Sequence, residues 1–256
     1  MADRRSVRQL ANIKMGREIA MQRVLNRHFK ALGRDLERRY NQNPETAVEG
    51  AVRDAQQDMR ELLVNQNGET ARLVGIWQYR LLVPEKMDTT LKVKLIEDDL
   101  ESGIRLWIQE EALRSSLLTE ATDRKVASAI ISTGIEEGLT TPQIARDLRL
   151  VFSGLNIAPR SAMIARTEVG IAASESQDRA ARSTGLNYQK EWIAVSDERT
   201  RDNHRLVDGQ RVPKDGKFTV GQDQMLHPRD IVNGSAGNVI NCRCDLAYIP
   251  EDTPNS

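Results

Sequence analysis

Aromatic side chains make up only 4% of this 256-residue chain. Its core must therefore be built mainly from Leu, Ile, Val and Ala, a bias that suits helices better than a β-sandwich. Cysteine is scarcer still. The only two, Cys242 and Cys244, share one Cys-x-Cys, too close for an ordinary disulfide scaffold, and a cytosolic, reducing origin fits that usage. No apolar run approaches 18 residues, which excludes a helical membrane span. The basic start MADRRSVRQL has no apolar stretch behind it and is not a secretory signal. Nor is there a Ser-centred elbow, a phosphate-binding glycine loop or a His-Glu-x-x-His. Asn233-Gly-Ser235 matches a glycosylation sequon, a chance match without a secretory route.

Net charge is absent too, with 37 basic residues against 37 acidic ones, yet the balance hides a polarity. Residues 1–40 carry 11 Lys/Arg and 4 Asp/Glu, whereas residues 94–123 carry 3 and 8. A segment at +7 and another at −5 can pair with each other, serve separate partners, or simply be solvated helix faces.

What the chain has in quantity is helical periodicity. Met21, Leu25, Phe29, Leu32, Leu36 and Tyr40 step by 4, 4, 3, 4 and 4, one apolar stripe on a helix. Val7, Leu10 and Ile13 extend it upstream, so a helix over about 5–40 would be roughly 50 Å long. Asn41-Gln-Asn-Pro44 stops it, and Pro44 suits the first turn of the next helix. That one repeats Val48, Val52, Ala55, Met59 and Leu62 until Gly68. Glu69 to Leu82 reads as a third helix, stopped by Val83-Pro84 and followed by a connector over 85–92. A long helical region over 91–136 follows, with Thr119 or Thr122 as a break point. Thr141-Pro142 opens a short helix, Ser153-Gly-Leu-Asn156 is a loop, and Pro159 begins a helix reaching Thr184-Gly185. Thereafter the pattern changes: Tyr188–Val195 and Cys244–Ile249 read as strands, with frequent Gly and Pro between them.

Three constellations could carry chemistry. The pair of helices around 141–184 has a helix-turn-helix outline, but the ten-residue gap exceeds the usual turn, and a packed hairpin is the plainer reading. Asp197, Glu198, Asp202, His204 and Asp208 fall within twelve residues, compatible with acid–base work or with turn formation. His204, His227, Cys242 and Cys244 offer two imidazoles and two thiolates, the number and type that close a tetrahedral zinc site. Their spacing is not that of a standard finger, so on spacing alone ordinary buried thiols beside two surface histidines are the plainer reading.

Taken in order, Ala165-Arg-Thr-Glu168, Trp192-x4-Asp197-Glu-Arg-Thr-Arg201-x2-His204-x3-Asp208-Gly-Gln210, His227-Pro228 and Asn241-Cys-Arg-Cys244 resemble the phage Mu F-like head morphogenesis family. The resemblance covers roughly residues 135–250. It implies a minor capsid protein of a tailed bacteriophage, without catalytic residues, that binds the portal protein or major capsid protein and assists head assembly and genome delivery. It also implies a location inside the phage head or procapsid, with host cytoplasm as the site of assembly. Some members have Cys-x-x-Cys where this chain has Arg201-x-x-His204. Arg201 replaces the first thiol, while His204 falls on the second, so structural zinc on His204, His227, Cys242 and Cys244 is the cofactor implied. The expected fold is mainly α: an elongated helical N-terminal region (1–136) for docking, a small α+β Mu F-like domain (137–250) and a tail (251–256). Packaged DNA is a further candidate partner for the basic N-terminal helix. Arg166 and Glu168 read as an internal pair, and Asp197, Arg199 and Asp208 as the residues that fix the turn after Trp192. The alternatives are a metal-dependent nuclease or hydrolase built on the His/Cys/Asp cluster, and a plain DNA-binding protein.

Overall fold

The computed structural model describes residues 4–83, 90–154 and 157–251. Five long or medium helices come first: α1 (Arg4–Gln42), α2 (Pro44–Leu82), α3 (Thr90–Glu136), α4 (Thr141–Ser153) and α5 (Ile157–Ser183). A smaller mixed part follows, with β1 (Tyr188–Ile193), α6 (Asp202–Leu206), β2 (Arg211–Pro213), β3 (Phe218–Val220), β4 (Asp223–Met225), α7 (Ala236–Val239) and β5 (Asp245–Pro250). The protein is mainly α with a small α+β C-terminal part.

The chain divides into two compact units. One draws on residues 19–66 and 107–165. Its core is the α1 stripe: Met21, Leu25, Phe29 and Leu36 are wholly buried, Leu32 and Tyr40 nearly so. The stripe ends where the sequence places its stop, and Asn43 Oδ1 accepts from the Glu45 amide at 3.1 Å to cap α2. No break occurs at Thr119 or Thr122. Their hydroxyls fold back onto the carbonyls of Ser115 and Leu118, both at 2.9 Å, which spends the polar group inside the helix instead of interrupting it. Gly138, at φ +71°, ends the descent of α3, and the Thr140 amide donates to Gln143 Oε1 at 2.8 Å at the start of α4. A Cβ on Gly134 would lie 2.7 Å from Ile144, so α3 and α4 meet closely through a bare backbone.

The other unit draws on residues 1–18, 67–106 and 166–256. Leu10, Val74 and Ala173 form a buried cluster joined by Ile13 and Trp77. Here the expected stop at Gly68 is overridden, and α2 runs through it. The flanking Asn67 and Thr70 are wholly buried, and Asn67 donates to Glu168 at 3.0 Å. Such contacts outweigh the ~1 kcal/mol that glycine costs a helix interior. The sheet has order β2-β1-β5, all antiparallel, with Trp192 opposite Leu246 and Tyr188 opposite Pro250. β3 and β4 form a separate hairpin. Trp192 packs edge-to-face on Phe218 at 5.3 Å, and Tyr188 on Tyr248 at 5.4 Å.

Several local expectations are corrected. α4 runs on to Ser153 and α5 starts at Ile157, so the expected ten-residue gap shrinks to residues 154–156. Gap length then no longer argues against a helix-turn-helix. Burial does: α5 is enclosed nearly all round from Thr167 to Ala181, leaving no face for a DNA groove. β1 ends two residues early and β5 is shifted by one. The expected Pro84 stop, the connector up to residue 89 and all but Glu251 of the tail lie outside the described residues. Among the described residues, no helix is long and apolar enough to cross a membrane.

Candidate metal centre

The Asn241-Cys-Arg-Cys244 segment takes its shape from backbone strain and from buried cations. Asn241 sits at φ +58°, a left-handed conformation that Asn tolerates better than most residues. Its amide donates to Thr167 Oγ1 at 3.0 Å, and its side-chain oxygen accepts from Arg166 at 2.7 Å. Arg166 also approaches Glu18 at 3.6 Å, while Glu168 receives Asn67. Thus Arg166 and Glu168 both serve structure, but through separate partners and not as the expected pair. Arg229, 1% exposed and itself at φ +63°, donates to the Cys242 carbonyl at 3.0 Å, to Ser174 and to Asp245. Lys14, also buried, pairs with Asp245.

The loop after Trp192 is closed by its carboxylates. Asp197 accepts from the Arg199 amide and the Thr200 hydroxyl and pairs with Arg243. Those donors, Arg243 foremost, hold its carboxyl well below the usual range. Asp208 accepts from the Ala194 amide at 2.7 Å. Arg201, standing where some relatives have a thiol, instead donates to the Ile240 carbonyl at 2.6 Å.

His204, Cys242 and Cys244 come together, with ligand atoms all within 4.8 Å of one another and none more than 2% exposed. His204 Nδ1 lies 3.2 Å from Cys244 Sγ and 3.7 Å from Cys242 Sγ. A tetrahedral zinc with ordinary bond lengths spaces nitrogen and sulfur ligands by roughly 3.5 Å, so the three donors stand at about the required separation. The imidazole is also oriented for the task. Asn238 spends its amide hydrogens on the Val220 carbonyl at 3.0 Å and Asp223 at 2.7 Å. Its oxygen therefore faces His204 Nε2 at 3.3 Å and takes that proton. Nδ1 is left with its lone pair towards both sulfurs, the outer-shell arrangement that metal-binding histidines use.

The thiols act as a pair. A hydrogen bond from Cys244 pulls Cys242 well below the usual thiol range, helped by Arg229 against the cost of burial. Cys244, which keeps the proton, is pushed up by that same bond and by burial. The downward shift favours the thiolate of Cys242, which is the ligating form. These residues fit a zinc ion and would hold it through one nitrogen and two sulfurs; zinc bound there would tie α6 to the start of β5.

His227 is placed elsewhere. Its Nε2 lies 3.3 Å from Glu175 and its Nδ1 3.1 Å from the Pro228 carbonyl. Burial lowers its pKa, but Glu175, Asp178 and that carbonyl together push it above the ordinary histidine value. Both ring nitrogens are committed to acceptors, so the ring forms a buried ion pair. Both histidines are in fact buried, contrary to the surface positions of the alternative sequence reading. Asn238 and Arg229 are the site residues that sequence reasoning missed. The position of Arg229 directly after His227-Pro228 is a usable signal, whereas nothing in the sequence marks Asn238.

Comparison with known proteins bears on the same region. The family model described as "Phage Mu protein F like protein" matches residues 124–247. A curated protein named NAD(+)–arginine ADP-ribosyltransferase EFV, from Enterococcus faecalis, is 34% identical over 118 residues, covering 44% of this chain. The chain spans only 23% of that relative's length. No solved structure gives a significant match. By the ordered motifs and this model, residues 124–247 match the phage Mu protein F-like family.

Proposed function

We propose that the protein is a minor head protein of a tailed bacteriophage that binds the portal or the inner capsid surface and assists head assembly and genome delivery. The carrying observation is the family match over residues 124–247, a family of head morphogenesis rather than of catalysis. The geometry agrees with that reading. His204, Cys242 and Cys244 are at most 2% exposed, so a substrate has no route to them, and a metal held there would staple the fold. Asp197 and Asp208 are engaged in loop hydrogen bonds. The transferase activity in the relative's name concerns a protein of which this chain covers under a quarter, and it is not carried over.

Docking is assigned to the helical part, residues 1–136. Leu113, Leu117 and Leu118 stand 38–66% exposed on α3, apolar surface of the kind that marks protein contacts. The test is co-expression of the tagged full chain with the portal and major capsid proteins of its phage, followed by gradient sedimentation. The chain is expected to travel with procapsids, and Leu117→Glu with Leu118→Glu to reduce that association at least tenfold. A wild-type chain that stays at the top of the gradient and captures neither partner overturns the reading.

A further inference from the structure

We propose that the outer face of α1 between residues 23 and 38 binds the phosphate backbone of duplex DNA without regard to sequence. Arg23, Arg27, Lys30, Arg34 and Arg38 are all exposed and step by 4, 3, 4 and 4. At roughly 100° per residue they form one row, on the side of the helix directly opposite the buried Met21–Tyr40 stripe. The row is about 22 Å long, the axial length of about six base pairs.

Its charge is largely uncompensated. Within 19–42 the acids are Asp35 and Glu37. Asp35 is taken by Arg38 and Arg39, and Glu37 by Arg149 at 3.2 Å. Arg23, Arg27, Lys30 and Arg34 form no ion pair among the described residues. Folding has thus stacked four cations about 5–6 Å apart along one face with no ion-pair partner among the described residues, which costs self-repulsion unless an external polyanion meets them.

The row's composition favours nucleic acid over an acidic protein. Protein interfaces are organised around a desolvated apolar core, and Ala31 is the only apolar residue within this exposed stretch. Phosphate binding needs charge alone, and the guanidinium fork matches phosphate oxygens. The row carries no Asn, Gln or aromatic residue to read or stack on bases, so it fixes the backbone and not the sequence.

The experiment is fluorescence anisotropy of the full chain with a random 30-base-pair duplex, from 50 to 200 mM salt. Four phosphate contacts predict a slope of log K against log salt of about −3 to −4. Replacing Arg23, Arg27, Lys30 and Arg34 together by Gln should weaken binding at least tenfold at 100 mM salt and flatten that slope by about three. Circular dichroism melting should not fall, because all four side chains are in solvent and their mutual repulsion is relieved. Replacing Arg53, Arg60 and Arg146, exposed elsewhere, should leave binding within twofold. Absence of duplex binding by the wild type, or equal binding by the two variants, overturns the proposal. So does capture of the portal or capsid protein through the same four residues with no duplex binding. Procapsid association of the Gln variant is expected to persist, so this surface and the head-protein reading fail separately.

Discussion

Asn238 accepts the Nε2 proton of His204 at 3.3 Å while its own amide is held by Val220 and Asp223. One uncharged side chain therefore decides which nitrogen of a buried imidazole faces two sulfurs. Asn238→Leu removes that control and leaves the Asp223 carboxylate short of a donor. Outer-shell losses of this kind typically cost 10–100-fold in metal affinity. Competition with a chromophoric chelator should show that drop in zinc affinity, and an unchanged affinity would mean that the tautomer is set by something else.

Protein prepared without chelator is expected to carry one equivalent of zinc by elemental analysis, and chelation should lower its melting temperature, since site energy in a small metal-tied fold is folding energy. Cys242→Ser or His204→Gln should abolish retention. His227→Gln should keep the zinc while destabilising the fold, because it breaks the pair with Glu175 and not a ligand. Folded protein with well under one equivalent rejects the metal, and the two sulfurs then serve as buried core packing.

The unit containing Phe29 holds two titrating groups of opposite sign. Burial lowers His28 to about 4, against Asp58 pulling upward, so between pH 6.5 and 4 the unfolded chain binds the extra proton and acid removes stability. Burial raises Asp123 to about 6 despite Arg160 at 2.5 Å. Between pH 6 and 3.8 it is the folded chain that binds the proton, and acid restores stability. Each shift corresponds to on the order of 3 kcal/mol, so they nearly cancel. Urea midpoints from pH 7 to 4 should rise on acidification in His28→Leu and fall in Asp123→Asn. Parallel curves for both variants would refute the cancellation.

Two glycines of α1 should respond oppositely to alanine. At Gly16 an added Cβ meets nothing within 4 Å, so Gly16→Ala should stabilise by about 0.5–1 kcal/mol through helix propensity. At Gly33 it would lie 3.0 Å from the Arg149 carbonyl oxygen and 3.0 Å from Phe152 Cβ. Backbone cannot yield cheaply, so Gly33→Ala should destabilise, and Gly33→Val by about 1–3 kcal/mol. Thermal melts of the single variants decide; a gain at Gly33 contradicts the close crossing of α1 and α4.

The long helices were legible because their apolar residues recur at helical spacing, and Asn43-Pro44 is a local signal that nothing distant needs to support. Gly68, Thr119 and Thr122 misled for one reason. Each is a local breaker whose effect is reversed by a specific bond, Asn67 to Glu168 in the first case and hydroxyl to i−4 carbonyl in the others. The three-residue strands β2, β3 and β4 are too short to show a period. At the site, the ligand types were readable from Cys-x-Cys and two histidines, but the selection of His204 depends on Asn238, and the removal of His227 depends on Glu175, 52 residues upstream. No sequence spacing encodes either choice.

The interleaving of the two units has a genetic consequence. The unit that holds the sulfur pair takes its first 18 residues from the start of the chain and its last 91 from the end, with Lys14 joined to Asp245 across that interval. A recombination crossover anywhere between codons 19 and 165 would mate one parent's Lys14 and Leu10 with the other parent's Asp245 and Ala173. The two halves of this gene can therefore be exchanged freely only between parents that agree at those buried contacts. Selection should act on residues 10–14 together with 166–245 as a single inherited block.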